Sequence, residues 1–197
     1  MYNYTGFYIN GEWLAPNNHE ELEVINPATE TSVGKISLAN NEDVDKAVKA
    51  ARDAFITYSQ TPLEERIKLL EKIVMLFQTR LPDLANAISI EMGAPMSLAS
   101  EVQAPSGLAH FMNAVESLKT FEFEEMNGTT CIRKEAIGVC ALITPWNFPI
   151  NQIACKVAPA LAVGCTMVLK PSEIAPLSAQ IFTEIMHEAG LPKGVFN

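Results

Sequence analysis

The chain has 197 residues, of which 48% are apolar and 19% are charged, and its formal net charge is −9. This length and composition are typical of a globular protein with a sizeable hydrophobic core. The acidic residues are spread along the chain, so no basic face is available to replace the counterions of nucleic-acid phosphates. The composition therefore argues against a nucleic-acid partner.

Targeting signals and membrane spans are not evident in the sequence. The start, MYNYTGFYIN, lacks the basic residues and apolar core of a signal peptide. The longest apolar stretch, VAPALAVGCTMVL, is too short to cross a bilayer and is interrupted by Pro159 and Gly164. We therefore expect a cytoplasmic protein with no membrane partner.

The metal-binding side chains show no ligand spacing. No CxxC pair occurs, and the histidines lie far from one another. We expect no metal site and no disulfide, with each cysteine acting as a small buried apolar residue. The residues concerned are Cys131, Cys140, Cys155 and Cys165, and His19, His110 and His187.

The first forty residues predict short strands joined by turns. The segment FYINGEWL contains Asn10-Gly11, a dipeptide favoured in type I′ hairpin turns because both positions need a positive φ. The segments ELEVINPATE and TSVGKISL read as two further strands around a turn at Pro27. A hairpin followed by a second pair of strands is the expected result.

Four helical segments follow. The first, NNEDVDKAVKAARDAFITYS, and the second, which continues to Phe77, carry apolar residues at helical spacing. The second begins at Thr61-Pro62-Leu63-Glu64, which has the pattern of a capping box with proline at the first helical position. The third, LPDLANAISIEMG, should stop at Gly93. The fourth, over about 96–118, contains Pro105, which should kink or divide it.

The pattern then changes to strands. The segment FEFEEMNGTTCIRKE alternates and contains Asn127-Gly128, which predicts a two-stranded arm. An isolated hairpin is marginal in water, so this arm needs a surface to lie on, either its own domain or a neighbouring subunit.

From residue 138 the sequence predicts a β-α-β-α-(β) series. GVCALIT and CTMVLK read as buried parallel strands, INQIACKVAPALAVG and PLSAQIFTEIMHEAG as helices, and GVFN as the opening of a third strand. The fold class is therefore α/β: the first half of a doubly wound, Rossmann-like parallel sheet, preceded by a strand-plus-helix region and a β-hairpin arm. The predicted parts are residues 1–118, 119–137 and 138–197.

Ligands of such sheets gather at the carboxyl ends of the strands, where two proline-stiffened segments lie. One is ITPWNFP, and the other is KPSE, from Lys170 to Glu173. A carboxylate after the second strand typically accepts hydrogen bonds from the adenosine ribose, and Lys170 can bind the same hydroxyls or a phosphate. The alternative is that Lys170 and Glu173 form a solvated surface pair. The glycine pattern GxGxxG is absent, so motifs alone predict nucleotide binding only weakly.

The ordered set LITPWNFP, LKPSE, INGEW, NPAT and AVKAARDAF resembles the N-terminal part of the aldehyde dehydrogenase superfamily over essentially the entire chain. The resemblance implies that the side-chain amide of Asn147 donates a hydrogen bond to the substrate carbonyl oxygen as that oxygen becomes an oxyanion. Pro145 and Pro149 would hold this donor in place. Without the resemblance, an asparagine that bonds its own backbone in a turn is the competing interpretation.

The same resemblance implies further site residues. The cofactor would be NAD, because the carboxylate of Glu173 should repel the 2′-phosphate of NADP. NADP is the alternative, since some family members with this glutamate accept both. Three residues look placed to line the aldehyde tunnel, although simple packing is an equal explanation for two of them, Gln152 and Cys155. The expected cofactor-binding residues are Ile143, Thr144, Pro145, Trp146, Lys170, Ser172 and Glu173, and the expected tunnel residues are Phe148, Gln152 and Cys155.

The family's nucleophilic cysteine, activating glutamate and cofactor glycine loop match no segment of this sequence. The resemblance places all three beyond residue 197, so we expect this chain alone to be inactive and to leave apolar surface exposed. The full-length protein would oxidise an aldehyde to a carboxylic acid through a thiohemiacetal and a thioester, as a homodimer or homotetramer joined by the arm. The alternative is a non-catalytic module that binds a dinucleotide or pairs with another chain.

Overall fold

A computed structural model describes residues 2–16 and 19–197. Within these residues the chain forms nine strands and seven α-helices, and the strands make four small sheets. Strands form most of the first forty residues, helices occupy most of residues 41–120, and a short hairpin then leads to a parallel strand pair with two helices in the last third.

The N-terminal strands are arranged much as the sequence predicts. Strands β2 (Phe7–Ile9) and β3 (Glu12–Leu14) form an antiparallel hairpin. Its turn residues Asn10 and Gly11 have φ of 55° and 78°, which confirms the predicted type of turn. A second sheet has the order β1-β5-β4, in which β5 is parallel to β1 and antiparallel to β4. Its strands are β1 (Tyr2–Tyr4), β4 (Glu21–Asn26) and β5 (Thr31–Ser37).

Three helices follow, α1 (Asn41–Tyr58), α2 (Leu63–Thr79) and α3 (Leu81–Met92). The side chain of Asn40 caps α1 by accepting hydrogen bonds from two backbone N–H groups of the first turn. Helix α3 ends at Gly93, whose φ of 77° confirms the predicted stop.

The capping box predicted at the start of α2 does not form. Pro62 stands as the N-cap and no side chain caps the helix. The backbone N–H of Thr61, which Glu64 would have to bond, already donates to the carbonyl of Tyr58 at 3.0 Å. The tight turn between α1 and α2 therefore replaces the capping box.

The fourth helical region is divided, as Pro105 predicts. A short α4 (Met96–Leu98) leads into a π-helical turn over Ala99–Gln103, and then into α5 (Ala104–Thr120). Because Pro105 has no N–H to donate to the carbonyl four residues earlier, the helix widens there instead of breaking.

The predicted arm is an antiparallel hairpin of β6 (Glu124–Asn127) and β7 (Thr130–Arg133). Gly128, with φ of 62°, takes the first turn position, so the turn is formed by Gly128 and Thr129 rather than by Asn127-Gly128. Every residue of both strands is exposed. Cys131 is therefore exposed too, contrary to the expectation that each cysteine is buried.

The last third forms the predicted β-α-β-α-(β) series. Strands β8 (Val139–Ile143) and β9 (Thr166–Lys170) are parallel, and helices α6 (Pro149–Val163) and α7 (Leu177–Ala189) follow them in turn. Residues 195–197 lie parallel to β9, with hydrogen bonds from Met167 N to Val195 O at 2.9 Å and from Leu169 N to Asn197 O at 2.8 Å. The Asn197 side chain joins them to the first hairpin, because its Oδ1 accepts from Asn10 N at 2.8 Å.

One expectation for this sheet is wrong. Strand β8 was expected to be covered on both faces, but Ala141 is exposed and Ile143 is 74% exposed. Within the described part of the chain β8 pairs only with β9, and nothing packs over that face. The neighbouring Ile137 is 90% exposed, so this part of the surface is strongly apolar.

The main core lies where α2, α5, α6 and α7 meet. Phe77, Phe111 and Phe182 contact one another with ring centroids 6.0–6.1 Å apart. Helices α5 and α6 approach closely because Gly107 has no Cβ; a Cβ there would overlap the Ile150 side chain and lie 2.9 Å from Phe77. This contact fixes the first turn of α6, which follows the ITPWNFP segment.

Candidate active site

The loop after β8 carries Asn147 to the carboxyl edge of the parallel strands. Thr144 N donates to Lys170 O at 3.3 Å, which extends the β8–β9 ladder by one bond. Pro149 is the first residue of α6, and the chain between them crosses the edge of the sheet. Asn147 is exposed there, and its side-chain amide bonds to no residue that the structure describes. A carboxamide in this place is free to bind a ligand.

The second loop brings Lys170 and Glu173 to the same edge. The Lys170 ammonium donates to a carboxylate oxygen of Glu173 at 2.6 Å, and this hydrogen bond lowers the pKa of the Glu173 carboxyl. The side chains are 62% and 49% exposed, so the pair is accessible to a ligand and contributes little to stability by itself. Ser172 is buried, and its hydroxyl accepts from Ile174 N at 3.3 Å, which shapes the loop from within.

The remaining residues of the first loop divide into buried and exposed. Thr144 is buried, and its Oγ1 has no partner among the residues described. Pro145 and Trp146 are exposed, so the indole is not packed into the core. Together with the exposed Ile143 they present an apolar rim above the ends of the strands.

The three expected tunnel residues lie on the first turns of α6 or just before it. Phe148, Gln152 and Cys155 are all half-buried, so none of them is a core residue. The Lys156 ammonium donates to the side-chain oxygen of Gln152 at 3.1 Å and lies 3.6 Å from the Cys155 sulfur. Cys155 also lines a groove of about 290 Å³ between α5 and α6.

The structure also shows a buried carboxylate that the sequence analysis missed. Glu91, near the end of α3, is 1% exposed and accepts hydrogen bonds from the backbone N–H groups of Leu177 and Ser178 at the start of α7. The hydroxyl of Ser178 donates to it as well, at 2.5 Å. Burial raises its pKa to about 7, although these hydrogen bonds act in the opposite direction. The available signal was its position on the apolar stripe of α3, one turn after Ile88.

Residues 2–16 and 19–197 contain neither a cluster of metal ligands nor a helix suited to a membrane. No group of three or more His, Cys, Asp or Glu side chains there could hold a metal ion. None of the helices described is long and apolar enough to cross a membrane.

Comparison with known proteins defines the class to which this fold and site belong. The model of the aldehyde dehydrogenase family matches residues 13–197. The chain therefore belongs to the aldehyde dehydrogenase family, as the resemblance of its motifs predicts.

Individual relatives are similar over the whole chain. It is 56% identical to a 3-succinoylsemialdehyde-pyridine dehydrogenase from Pseudomonas sp over 198 aligned residues, covering 100% of this chain and 42% of that protein. Among solved structures, an aldehyde dehydrogenase from Bartonella henselae is 49% identical with a TM-score of 0.97, covering 100% of this chain and 42% of that one. A mutant of aldehyde dehydrogenase C from Pseudomonas syringae, complexed with NAD+ and octanal, is 50% identical with a TM-score of 0.96, covering 98% and 40%. The chain thus spans 42% of the length of the curated relative named here.

Proposed function

We propose that this chain is the N-terminal part of an NAD-dependent aldehyde dehydrogenase that oxidises an aldehyde to a carboxylic acid. The observation that carries the proposal is the exposed amide of Asn147, without a protein partner, at the same sheet edge as the Lys170–Glu173 pair. An oxyanion donor and a ribose-binding pair are useful together only where a carbonyl reacts beside a dinucleotide.

Asn147 supplies the electrostatic part of this chemistry. Its N–H donates to the carbonyl oxygen of the substrate and stabilises the negative charge that develops when a nucleophile attacks the carbon. The donor is held between the β8 ladder at Thr144 and the start of α6 at Pro149, so little reorganisation is needed during the reaction. Loss of one such donor lowers the rate by about 10²–10³-fold.

The second loop and the apolar rim supply the cofactor site. Lys170 and Glu173 bind the ribose hydroxyls of the adenosine, and the carboxylate disfavours a 2′-phosphate, which makes NAD the preferred cofactor. Ile143, Pro145 and Trp146 give apolar contact beside it, and Thr144 and Ser172 hold the two loops in shape. A bound NAD would supply the acceptor for the hydride that leaves the substrate carbon.

The nucleophile is assigned to a cysteine outside this chain. Cys131 lies on the exposed arm, and Cys165 is buried. Burial raises the pKa of the Cys140 thiol to about 11, which leaves it protonated and unreactive at neutral pH. Cys155 faces the groove between α5 and α6 two helical turns from Asn147, and a tunnel wall is the better role for it.

The substrate is proposed to be an aldehyde with an apolar or aromatic tail. The relatives at 56% and 50% identity include a 3-succinoylsemialdehyde-pyridine dehydrogenase and an enzyme crystallised with octanal. Phe148 and Cys155 are half-buried on the first turns of α6, and the groove beside Cys155 is lined mainly by apolar side chains. Relative kcat/KM values for octanal, a pyridine-bearing semialdehyde and acetaldehyde test this proposal. A preference for acetaldehyde would contradict it.

The exposed arm favours assembly of the protein into a homodimer or homotetramer. Met126 and Ile132 are exposed on its strands at 67% and 39%, and a two-stranded hairpin needs a further surface for stability.

The exposed face of β8 supports the second candidate function, a non-catalytic module that pairs with another chain. For the protein in either function we propose a cytoplasmic location.

The decisive experiment compares Asn147→Ala with Asn86→Ala in the complete gene product, following NADH absorbance with octanal as the substrate. Asn86 is also an exposed asparagine, but it lies on α3 and bonds Tyr2. We expect kcat to fall by about 10²–10³-fold for Asn147→Ala only. Equal activity in the two variants would exclude Asn147 as the oxyanion donor, and no activity in the unsubstituted protein would favour the pairing module.

A further inference from the structure

The start of α7 is held by a residue from another helix. Pro176, the N-cap of α7, has no polar side chain and makes no capping hydrogen bond. The first free N–H groups of the helix, on Leu177 and Ser178, donate instead to the carboxylate of Glu91 on α3, and the Ser178 hydroxyl adds a third donor. Glu91 thus caps α7 in place of a local side chain.

A carboxylate in this place is costly unless it is fully bonded. Glu91 is 1% exposed, so an ionised side chain there has lost its hydration almost completely. The three donors and the positive end of the α7 dipole offset part of that loss. Each oxygen of the carboxylate is bonded, Oε1 to the hydroxyl and backbone of Ser178, and Oε2 to the backbone of Leu177.

The capped helix end is also the end of the cofactor loop. Residues 171–176 run from β9 to α7, and they carry Glu173, which pairs with Lys170. Inside the loop, the hydroxyl of Ser172 accepts from Ile174 N and its carbonyl accepts from Ala175 N, at 3.3 Å each. These bonds set the shape of the loop, while its direction depends on its two anchors, the β9 ladder on one side and the Glu91 cap on the other.

We infer that Glu91 is a positioning residue for dinucleotide binding. It touches neither cofactor nor substrate; it holds the first turn of α7 so that Glu173 and Lys170 face the ribose. The inference rests on the proposed function, since it assumes that this pair binds the ribose. It adds to the determinants of the site a residue from α3 that lies 86 residues before Leu177 in the chain.

The test measures NAD binding by calorimetry and the separate kinetic constants in the complete gene product. Glu91→Gln replaces one acceptor oxygen by a donor, and Ser178→Ala removes only the hydroxyl, so it keeps the test usable where Glu91→Gln does not fold. Ile185→Val is the matched control, because Ile185 is a fully buried residue of α7 two turns further on. It weakens the packing of the same helix without touching the cap.

We expect Ser178→Ala and Glu91→Gln to raise the Kd and the KM for NAD by about 2- to 30-fold, with the KM for the aldehyde unchanged. Ile185→Val should leave the constants for NAD unchanged, although it lowers thermal stability. Unaltered NAD binding in both cap variants, or an equal loss in Ile185→Val, would overturn the positioning role alone. Failure of the unsubstituted protein to bind NAD would overturn the proposed function and the inference together.

Discussion

The buried carboxyl of Glu91 should make the stability of this fold depend on pH. Burial raises its pKa from 4.5 to about 7, a difference of about 2.5 units. Since each pKa unit corresponds to about 1.4 kcal/mol, the change in unfolding free energy that Glu91 can contribute is about 3 kcal/mol. For a chain whose total stability is on the order of 10 kcal/mol, this contribution is large.

The sign of the Glu91 contribution to stability follows from the order of its pKa values in the folded and unfolded chain. Because the folded pKa lies above the unfolded one, the folded chain binds more protons than the unfolded chain between pH 4.5 and about 7. The contribution is fully present below pH 4.5, and it is lost as the pH rises through about 7. Stability due to Glu91 therefore decreases toward neutral and alkaline pH.

Urea unfolding followed by circular dichroism at several pH values measures this effect. The comparison is between the unsubstituted chain and Glu91→Gln, so that contributions from other titrating groups cancel. Glu91→Gln should lower the free energy of unfolding by about 1–3 kcal/mol at acid pH, because the side-chain NH2 group cannot accept and one N–H donor of α7 loses its acceptor. The stability of the unsubstituted chain minus that of Glu91→Gln should then fall by about 3 kcal/mol toward alkaline pH, so that the variant becomes equally stable or the more stable of the two. A gap that stays constant with pH would refute the reasoning.

Three other substitutions test separate parts of the structure. Gly107→Ala should lower stability by about 1–3 kcal/mol in thermal unfolding, because the new Cβ overlaps Ile150 and lies 2.9 Å from Phe77; an unchanged melting temperature would contradict the close approach of α5 and α6. Tyr58→Phe should cost about 1 kcal/mol in urea unfolding, because the buried hydroxyl donates to Leu161 O at 3.1 Å; a neutral effect would mean that water replaces this bond. Glu173→Gln should raise kcat/KM with NADP relative to NAD, because the charge that repels the 2′-phosphate is removed; an unchanged ratio would assign cofactor selection to other residues.

Features encoded by neighbouring residues were predictable from the sequence. Asn10-Gly11 specifies its own turn geometry, Gly93 stops a helix through its left-handed conformation, and Pro105 disrupts the helix at its own position. The loops that carry Asn147 and the Lys170–Glu173 pair were predictable because each directly follows a short apolar strand.

Features that depend on distant partners were not predictable. The capping box at Thr61 failed because Tyr58, in the preceding helix, had already taken the required N–H. The exposure of Ile143 depends on which elements cover β8, and the apolar run itself carries no such information. Glu91 was missed because its donors lie 86 and 87 residues later in the chain.

The bond between Asn10 and Asn197 joins positions 187 residues apart. Ribosomes add about 5–20 residues per second, so the first hairpin emerges on the order of ten seconds or more before the asparagine that anchors it. During that interval the hairpin lacks the C-terminal part of its docking surface, and the loop that closes between the two asparagines is a long one, which slows folding. The Asn10–Asn197 bond is therefore among the last contacts that the chain can form during synthesis.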